Sequence, residues 1–373
     1  MDTELTYRIA VSMTPGVTAD MVKHMETEGV ETGMFVTGHM SELGSKLGET
    51  FRIPDSVRTE ALFRARREVE FISRHSIRAI YLTDEAYPPL LREIPDAPVL
   101  IYVLGEADLN TQPSLNVVGT RKCTTYGISF CERMIGELAD YIPQAMVVSG
   151  LAYGIDAAGH TAALEHGLLT SAVVAHGLDM IYPAPHRDLA RRIIASGGAI
   201  ISEYPTGVKP FRNNFLQRNR IIAGLCEMTF VVESEVRGGA MSTANLAFSY
   251  SREVMALPGR STDIKSSGCN MLIARQKASI FTSVPDMISL MGWKIPALGI
   301  GLGNLGPDRR LFPELEGDAG IVYQYMHTAS APVSVDEIHN ATSLPMPSLM
   351  AALSDLEFEG VAVKLPGARY ELC

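Results

Sequence analysis

The sequence predicts an α/β fold: a doubly wound, mostly parallel sheet, with a helical N-terminal unit before it and a C-terminal winged helix after it. Three observations carry this. The middle of the chain alternates short β-branched runs with stretches of helical spacing. The first 75 residues show helical spacing throughout, and the last 60 read as three helices and a terminal hairpin. A chain of 373 residues is also long enough for two or three such domains. We therefore expect a helical domain at 1–80, the sheet domain at 81–291, a linker at 292–310 and the winged helix at 311–373.

Taken in order, residues 7–13 form a short amphipathic stretch that stops at Thr14-Pro15-Gly16-Val17, a tight breaker. Residues 19–28 follow with Met21, Val22 and Met25 at helical spacing, and 56–75 read as one long charged helix. Helix, glycine turn, helix suggests a helix-hairpin-helix or SAM-like unit, with a packing role as the plainer reading. Residues 87–105 look like a linker with one strand. Strands are then expected at 115–119, 146–149, 171–175, 199–202, 228–233 and 254–257, with helices at 126–141, 157–166, 189–195 and 243–251 between them. Near-continuous apolar strands separated by helices mean a parallel sheet covered on both faces, a Rossmann-like domain. The segment 292–307 is rich in Gly and Pro and lacks periodicity. Helices at 320–327, 334–341 and 347–359 and a hairpin at 361–372 complete the winged helix, whose last two helices carry almost no Lys or Arg.

Composition bounds the function. The chain is 46% hydrophobic and 20% charged, an ordinary globular balance, and no apolar run approaches the length of a membrane helix. The N-terminus lacks a signal-peptide pattern. The five cysteines (Cys123, Cys131, Cys226, Cys269, Cys373) contain no C-x-x-C pair. That suits a reducing cytoplasm and argues against a disulfide frame or zinc ribbon. Net charge is −10, unevenly spread: residues 119–277 hold 16 Lys and Arg against 13 Asp and Glu, and residues 310–373 hold 3 against 9. A basic patch inside an acidic protein is compatible with binding an anion locally.

The segment from Asn214 to Leu225 is the densest signal: Phe215, Arg218, Asn219 and Arg220, followed by an apolar helical pattern. Guanidinium forks suit phosphate oxygens, a helix start adds free N–H groups, and an aromatic ring gives a base a face to stack on. Ordinary ion pairing at a helix start is the alternative. In an open parallel sheet, ligands sit beyond the carboxyl ends of the strands. Four turns belong there: Gly119-Thr120-Arg121-Lys122; Gly150 through Tyr153-Gly154 to Asp156; His176-Gly177-Leu178-Asp179 with Tyr182-Pro183; and Arg237-Gly238-Gly239 to Thr243. Each can present backbone N–H groups to phosphates, although glycine also serves such turns for steric reasons. No P-loop, G-x-G-x-x-G or G-x-S-x-G frame is present. His160 and His166 are six apart and diverge on a helix, so a shared metal is not expected. Asp156 reads as a helix-start cap, and Glu233 as a strand-end acid without partners for catalysis. No catalytic residue, metal or cofactor is therefore assigned.

Taken together, Tyr87-Pro88…Leu91, Val118-Gly119-Thr120-Arg121, Ser149-Gly150-Leu151-Ala152-Tyr153-Gly154-Ile155-Asp156, Tyr182-Pro183, Ser202-Glu203-Tyr204-Pro205, Phe215…Arg218-Asn219-Arg220-Ile221-Ile222-Ala223-Gly224 and Pro258-Gly259…Gly268…Asn270…Leu272-Ile273 resemble the DprA/Smf family of bacterial DNA-processing proteins. The resemblance covers about residues 87–290. It implies a non-catalytic, cytoplasmic homodimer that binds single-stranded DNA and protects it during natural transformation. It also implies loading of the recombinase RecA onto strands covered by single-strand-binding protein, a further partner. The family's Gly-Ser-Arg turn corresponds to Gly119-Thr120-Arg121, and its F-x-x-R-N-R segment to Phe215, Arg218 and Arg220. The expected DNA-binding set is Gly119, Thr120, Arg121, Lys122, Gly150, Tyr153, Gly154, Lys209, Arg212, Asn214, Phe215, Arg218, Asn219, Arg220, Gly238, Gly239 and Thr243. Two departures stand out. Leu216 replaces the usual proline, and Gly238-Gly239-Ala240-Met241-Ser242-Thr243 replaces a Ser-Gly-Ser-hydrophobic-Thr turn. A competing reading is a Rossmann-like hydrolase of nucleoside monophosphates (phosphoribohydrolase type), with Glu233 beside the Gly238-Gly239 turn.

Overall fold

All six strands expected between residues 115 and 257 form. In the computed structural model they are joined by three more in one nine-stranded sheet. The structure describes residues 2–48, 53–295, 317–329, 332–358, 362–365 and 369–372. These fall into two units, Met1–Pro296 and Ala297–Cys373.

The first unit begins with α1 (Thr3–Met13), α2 (Ala19–Thr27), α3 (Thr32–Thr37), α4 (Met40–Leu47) and the long α5 (Asp55–Arg74). Asp2 caps α1 by accepting from Leu5 N at 3.1 Å, and Thr18 caps α2 through Met21 N at 3.3 Å. The chain then enters the sheet through β1 (Ile77–Tyr81), which pairs antiparallel with β2 (Leu100–Gly105), α6 (Pro89–Glu93) lying between them. The domain boundary expected at 80/81 therefore falls inside a strand. The following elements are β3 (Ser114–Val118), α7 (Thr125–Tyr141), β4 (Met146–Ser149), α8 (Ile155–Glu165), β5 (Leu169–Val173), α9 (Arg187–Ala195) and β6 (Ala199–Ser202). Next come α10 (Arg212–Leu225), β7 (Met228–Val231), α11 (Gly239–Ser249), β8 (Glu253–Ala256), α12 (Ser267–Ala274), β9 (Ser279–Ile280) and α13 (Val284–Met291).

The strand order is β1-β2-β6-β5-β4-β3-β7-β8-β9, parallel from β6 to β9. From β3 the chain winds outward through β4, β5 and β6, and then returns through α10 to place β7 on the other side of β3. The winding direction reverses there, where doubly wound sheets open a ligand crevice. Gly105 lets β2 close on the sheet: its φ is +120° and a Cβ would lie 2.2 Å from Gly198 O.

The two faces of the sheet bury separate cores. One gathers Ile9, Phe35 and Val69 of the N-terminal helices with Tyr87, Ile101, Val148 and Ile222. The helical unit and the sheet thus share a core. The other face packs α7, α8 and α13 around Phe130, Phe230 and Phe281, with ring centroids 5.1–5.7 Å apart. Trp293 is buried in this second core and Gly292 ends α13 in a left-handed turn. Residues 292–295 therefore belong to the domain, and the rest of the expected linker lies outside the described residues up to 310.

The second unit holds α14 (Gly317–Ala329), β10 (Val333–Ser334), α15 (Val335–Thr342), α16 (Met346–Phe358), β11 (Ala362–Leu365) and β12 (Arg369–Leu372). Its sheet order is β10-β12-β11. A Ser334–Glu337 capping box starts α15, and Val322, Ile338, Leu353 and Tyr370 fill the core. Three helices and a closing hairpin make a winged helix.

Because the helical unit and the sheet share a core, damage at one end should be felt at the other. Phe35→Ala, at a wholly buried position, is expected to cost about 3–5 kcal/mol. It should lower the denaturation midpoint read by fluorescence of Trp293, the sole tryptophan. An unchanged Trp293 transition would show that the N-terminal helices unfold independently.

Candidate nucleic-acid interface

The crevice beyond β3 and β7 is held open by a few interlocking contacts. Thr120 N donates to Glu233 O at 2.7 Å, tying the turn after β3 to the end of β7. The Glu233 carboxylate accepts from Thr124 N at 2.8 Å and Thr124 Oγ1 at 2.6 Å, which anchors the start of α7. Gly119 sits where a Cβ would fall 2.5 Å from Ile155 Cγ1, and Gly154, at φ +77°, where one would fall 2.3 Å from Thr120 O. The first two turns are therefore packed backbone to backbone, and Glu233 braces them.

Arg218, in the middle of α10, is 4% exposed. Its Nη1 donates to Gly150 O at 2.8 Å and also to Val173 O. A Cβ at Gly150 would lie 2.5 Å from that nitrogen, so the glycine is the floor on which the guanidinium rests. Burial pushes the Arg218 pKa down to about 10, with Asp156 opposing the shift, so the group stays charged at neutral pH. Asp156 itself is pushed up by burial and held down by Arg218 and by N–H donors including Ala152 N. Phe215, one turn earlier, lies between cations: Arg121 Cζ is 5.1 Å from its ring centroid and Arg218 Cζ 5.8 Å. Tyr182 approaches the same ring at 5.9 Å.

Arg121, Asp156, Phe215 and Arg218 line a cavity of about 780 Å³. Its cations are Arg121, Lys122, Arg212, Arg218, Arg237 and Lys265, its acids Asp156 and Glu235. Lys265 Nζ pairs with Glu235 at 2.5 Å, so the positive excess falls on the arginines and Lys122. Gly119, Thr120, Asn219, Gly238, Gly239 and Thr243 complete the wall, with Leu216 exposed where the resemblance expected proline. A concave, cationic surface with one aromatic ring fits a phosphate chain carrying flat groups.

The other expected residues sit elsewhere. Tyr153 and Gly154 line an adjoining cleft that shares Arg121 and Lys122, and the exposed Tyr153 ring meets His186 edge-on at 4.8 Å. Asn214 Nδ2 donates to Lys209 O at 3.2 Å and Ala175 O at 3.4 Å, pinning the segment before α10, on which Lys209 is exposed outside the cavity. Arg220 requires a correction. Two residues beyond Arg218, it is turned about 200° around the helix, and it pairs with the mostly buried Glu203 on the far side, with Asp96 3.9 Å away. A second correction concerns the turns. The N–H groups of Thr120, Lys122, Ala152, Gly177 and Gly238 bond within the protein, so they hold the turns in shape and offer nothing to a ligand. The third turn, 176–179, closes on the segment at Pro205, where a Gly177 Cβ would lie 2.4 Å from Pro205 O. Lys265 went unseen because only the fold brings the loop after β8 to this wall. Arg237 is visible in its glycine turn. Among the described residues no three His, Cys, Asp or Glu side chains gather to hold a metal, and no helix is long and apolar enough to cross a membrane.

Two family models match the chain: DNA recombination-mediator protein A over residues 78–292, and the DprA winged helix domain over 307–368. The DNA processing protein DprA of Streptococcus pneumoniae is 40% identical over 208 residues, 56% of this chain and 72% of that protein. A putative DNA processing protein DprA of Mycobacterium tuberculosis is 35% identical over 80% of this chain and 78% of its own length. Protein Smf of Escherichia coli is 33% identical over 77% of this chain and 75% of its own. Among solved structures, that of DprA from S. pneumoniae superposes with TM-score 0.62 at 33% identity, covering 76% of this chain and 97% of the other. A second, of DNA processing protein A from Helicobacter pylori, described for its single-stranded DNA binding mode, gives TM-score 0.52 at 28% identity over 59% of this chain and 97% of the other.

The Arg220–Glu203 pair separates structure from binding. Burial pushes the Glu203 carboxyl up, and Arg220 opposes this. Removing the cation raises the folded-state pKa further above the unfolded one, so stability present at low pH is lost as pH rises through it. Arg220→Ala is expected to cost about 3 kcal/mol at neutral pH and less as the pH falls, with Glu203→Gln in the same chain restoring part of it. A pH-independent melting temperature in Arg220→Ala would contradict this.

Proposed function

Since this chain belongs to the DNA recombination-mediator protein A family, we propose that it binds single-stranded DNA in the crevice beyond β3 and β7 and delivers that DNA to the recombinase RecA. The family assigns it to DNA processing and recombination mediation. The observation that carries the finer reading is the cavity that Arg121, Lys122, Arg212 and Arg218 line together with Phe215, whose ring lies against Arg121 and Arg218. Phosphates take the guanidinium and ammonium groups, and a base takes the aromatic face. Neither reads base edges, so sequence preference is slight. The crevice is set among strand ends and loops, which admits a flexible single strand more readily than a rigid duplex. The printed description of the H. pylori relative supports the same ligand. Protection of incoming strands, a homodimeric state, action in the cytoplasm and a handover involving single-strand-binding protein belong to the same proposal. Glu233, the acid that a nucleotide hydrolase reading requires, is engaged at both oxygens by Thr124.

Fluorescence anisotropy with oligo-dT and with a matching duplex tests the binding step. Oligo-dT is expected to bind more tightly than the duplex, with affinity falling as salt rises. Arg121→Ala and Arg212→Ala should each weaken it about tenfold, the scale of one charge-assisted hydrogen bond. Their melting temperatures should stay unchanged, since both side chains are exposed. Equal affinity for both DNAs, or no loss in either variant, would overturn the proposal. RecA filament formation on strands coated with single-strand-binding protein tests the delivery step.

A further inference from the structure

Helix α5 carries a basic and aromatic stripe that the cavity does not use. Arg64, Arg67, Phe71 and Arg74 follow one another at steps of three, four and three residues. A helix turns 100° per residue, so the four fall within a sector of about 80°. The three arginines are exposed. Phe71 stacks on His75, ring centroids 4.1 Å apart and planes 25° from parallel, giving the stripe an aromatic element. Arg74 pairs with Glu70 at 2.8 Å on the surface. Among the described residues neither Arg64 nor Arg67 makes an ion pair. Glu60 is the acid in the same sector.

The position of the stripe gives it meaning. One turn beyond Arg64, Glu68 is buried and its carboxylate accepts from Thr206 Oγ1 at 2.6 Å and Thr206 N at 3.1 Å. Thr206 belongs to the segment that runs into α10. Lys209 is three residues on, and Arg212, three further, lines the cavity. Six residues of chain span at most about 20 Å. The Arg64 end of the stripe therefore flanks the same segment whose other end forms the cavity wall, with the exposed Lys209 between them.

We propose that Arg64, Arg67 and the Phe71–His75 stack form a second contact surface for the single strand, engaged by nucleotides that leave the cavity past Arg212 and Lys209. The inference rests on the reading of the cavity as a single-stranded DNA site. Arginine forks suit the phosphates, and spaced cations beside an aromatic stack suit a flexible strand more than a folded protein partner. The N-terminal helical unit then lengthens the binding site, and Glu68 fixes the angle at which the two parts meet.

Anisotropy titrations of the full chain with dT oligomers of about 6 and about 25 nucleotides test this, the short one matching a single groove-sized site. The Arg64→Ala/Arg67→Ala chain is expected to bind the short oligomer as the parent does. It should bind the long one about tenfold more weakly, with a salt slope shallower by about 1.4 for two lost phosphate contacts. Unchanged affinity for the long oligomer overturns the second surface and leaves the cavity reading intact. Equal loss on both oligomers overturns it too, because a general charge effect then accounts for the result. A parent chain that binds neither oligomer overturns the cavity reading, and this inference with it.

Discussion

The site depends on one buried cation. Arg218 is desolvated in mid-helix, its guanidinium bonded to the carbonyls of Gly150 and Val173 at the ends of β4 and β5. A buried charge is tolerated only when it is hydrogen-bonded and compensated. Here two carbonyls and the nearby Asp156 do this, and the residue at 150 must be glycine for the fork to fit. Once α10 is fixed in this way, its preceding turn carries Phe215 and Arg212 to the crevice, and Arg121 lies over the Phe215 ring from the opposite wall. Helix, sheet end and glycine turn are thus set by the same group that supplies positive potential to the cavity floor.

The second arginine of the same motif does different work. Helical geometry turns Arg220 away from the crevice and toward Glu203, where it neutralises a buried carboxylate beside the Tyr87 region. A motif with two arginines two residues apart on a helix cannot aim both at one ligand. The exposed cations of the cavity, Arg121, Lys122, Arg212 and Arg237, make no ion pair among the described residues. Burial therefore sorts the motif: Arg218 is held by backbone carbonyls at the cavity floor, and Arg220 is held by Glu203 away from it.

Much of this was legible in the sequence. The six strands from β3 to β8 stood out because each is a buried apolar run in a parallel sheet, the strongest pattern a strand offers. The winged helix was visible for a similar reason, through three helical periodicities and a final hairpin. The strand β1 was not visible, since Ile77-Arg78-Ala79-Ile80-Tyr81 directly follows a helix and its pairing with β2 is decided by tertiary contacts. Residues Ser279–Ile280 are too short a strand to show any period. Within the site, Arg121 and Arg218 come to 5.1 and 5.8 Å from the Phe215 ring, and both stand beside recognisable sequence features. Periodicity alone could have separated Arg218 from Arg220, had the helix been known to start at Arg212. Lys265 had no such signal, because a loop 30 residues from Glu235 reaches it only through the fold.

The proposed binding mode puts a nucleobase on the ring at position 215 and phosphates on the surrounding cations. A Phe215→Trp chain read by tryptophan fluorescence, against the parent's Trp293 as background, tests it directly. Addition of oligo-dT should quench the new tryptophan saturably, with quenching reversed by salt and absent with duplex. Intact oligo-dT binding that leaves this fluorescence unchanged would place the bases elsewhere and overturn stacking at position 215.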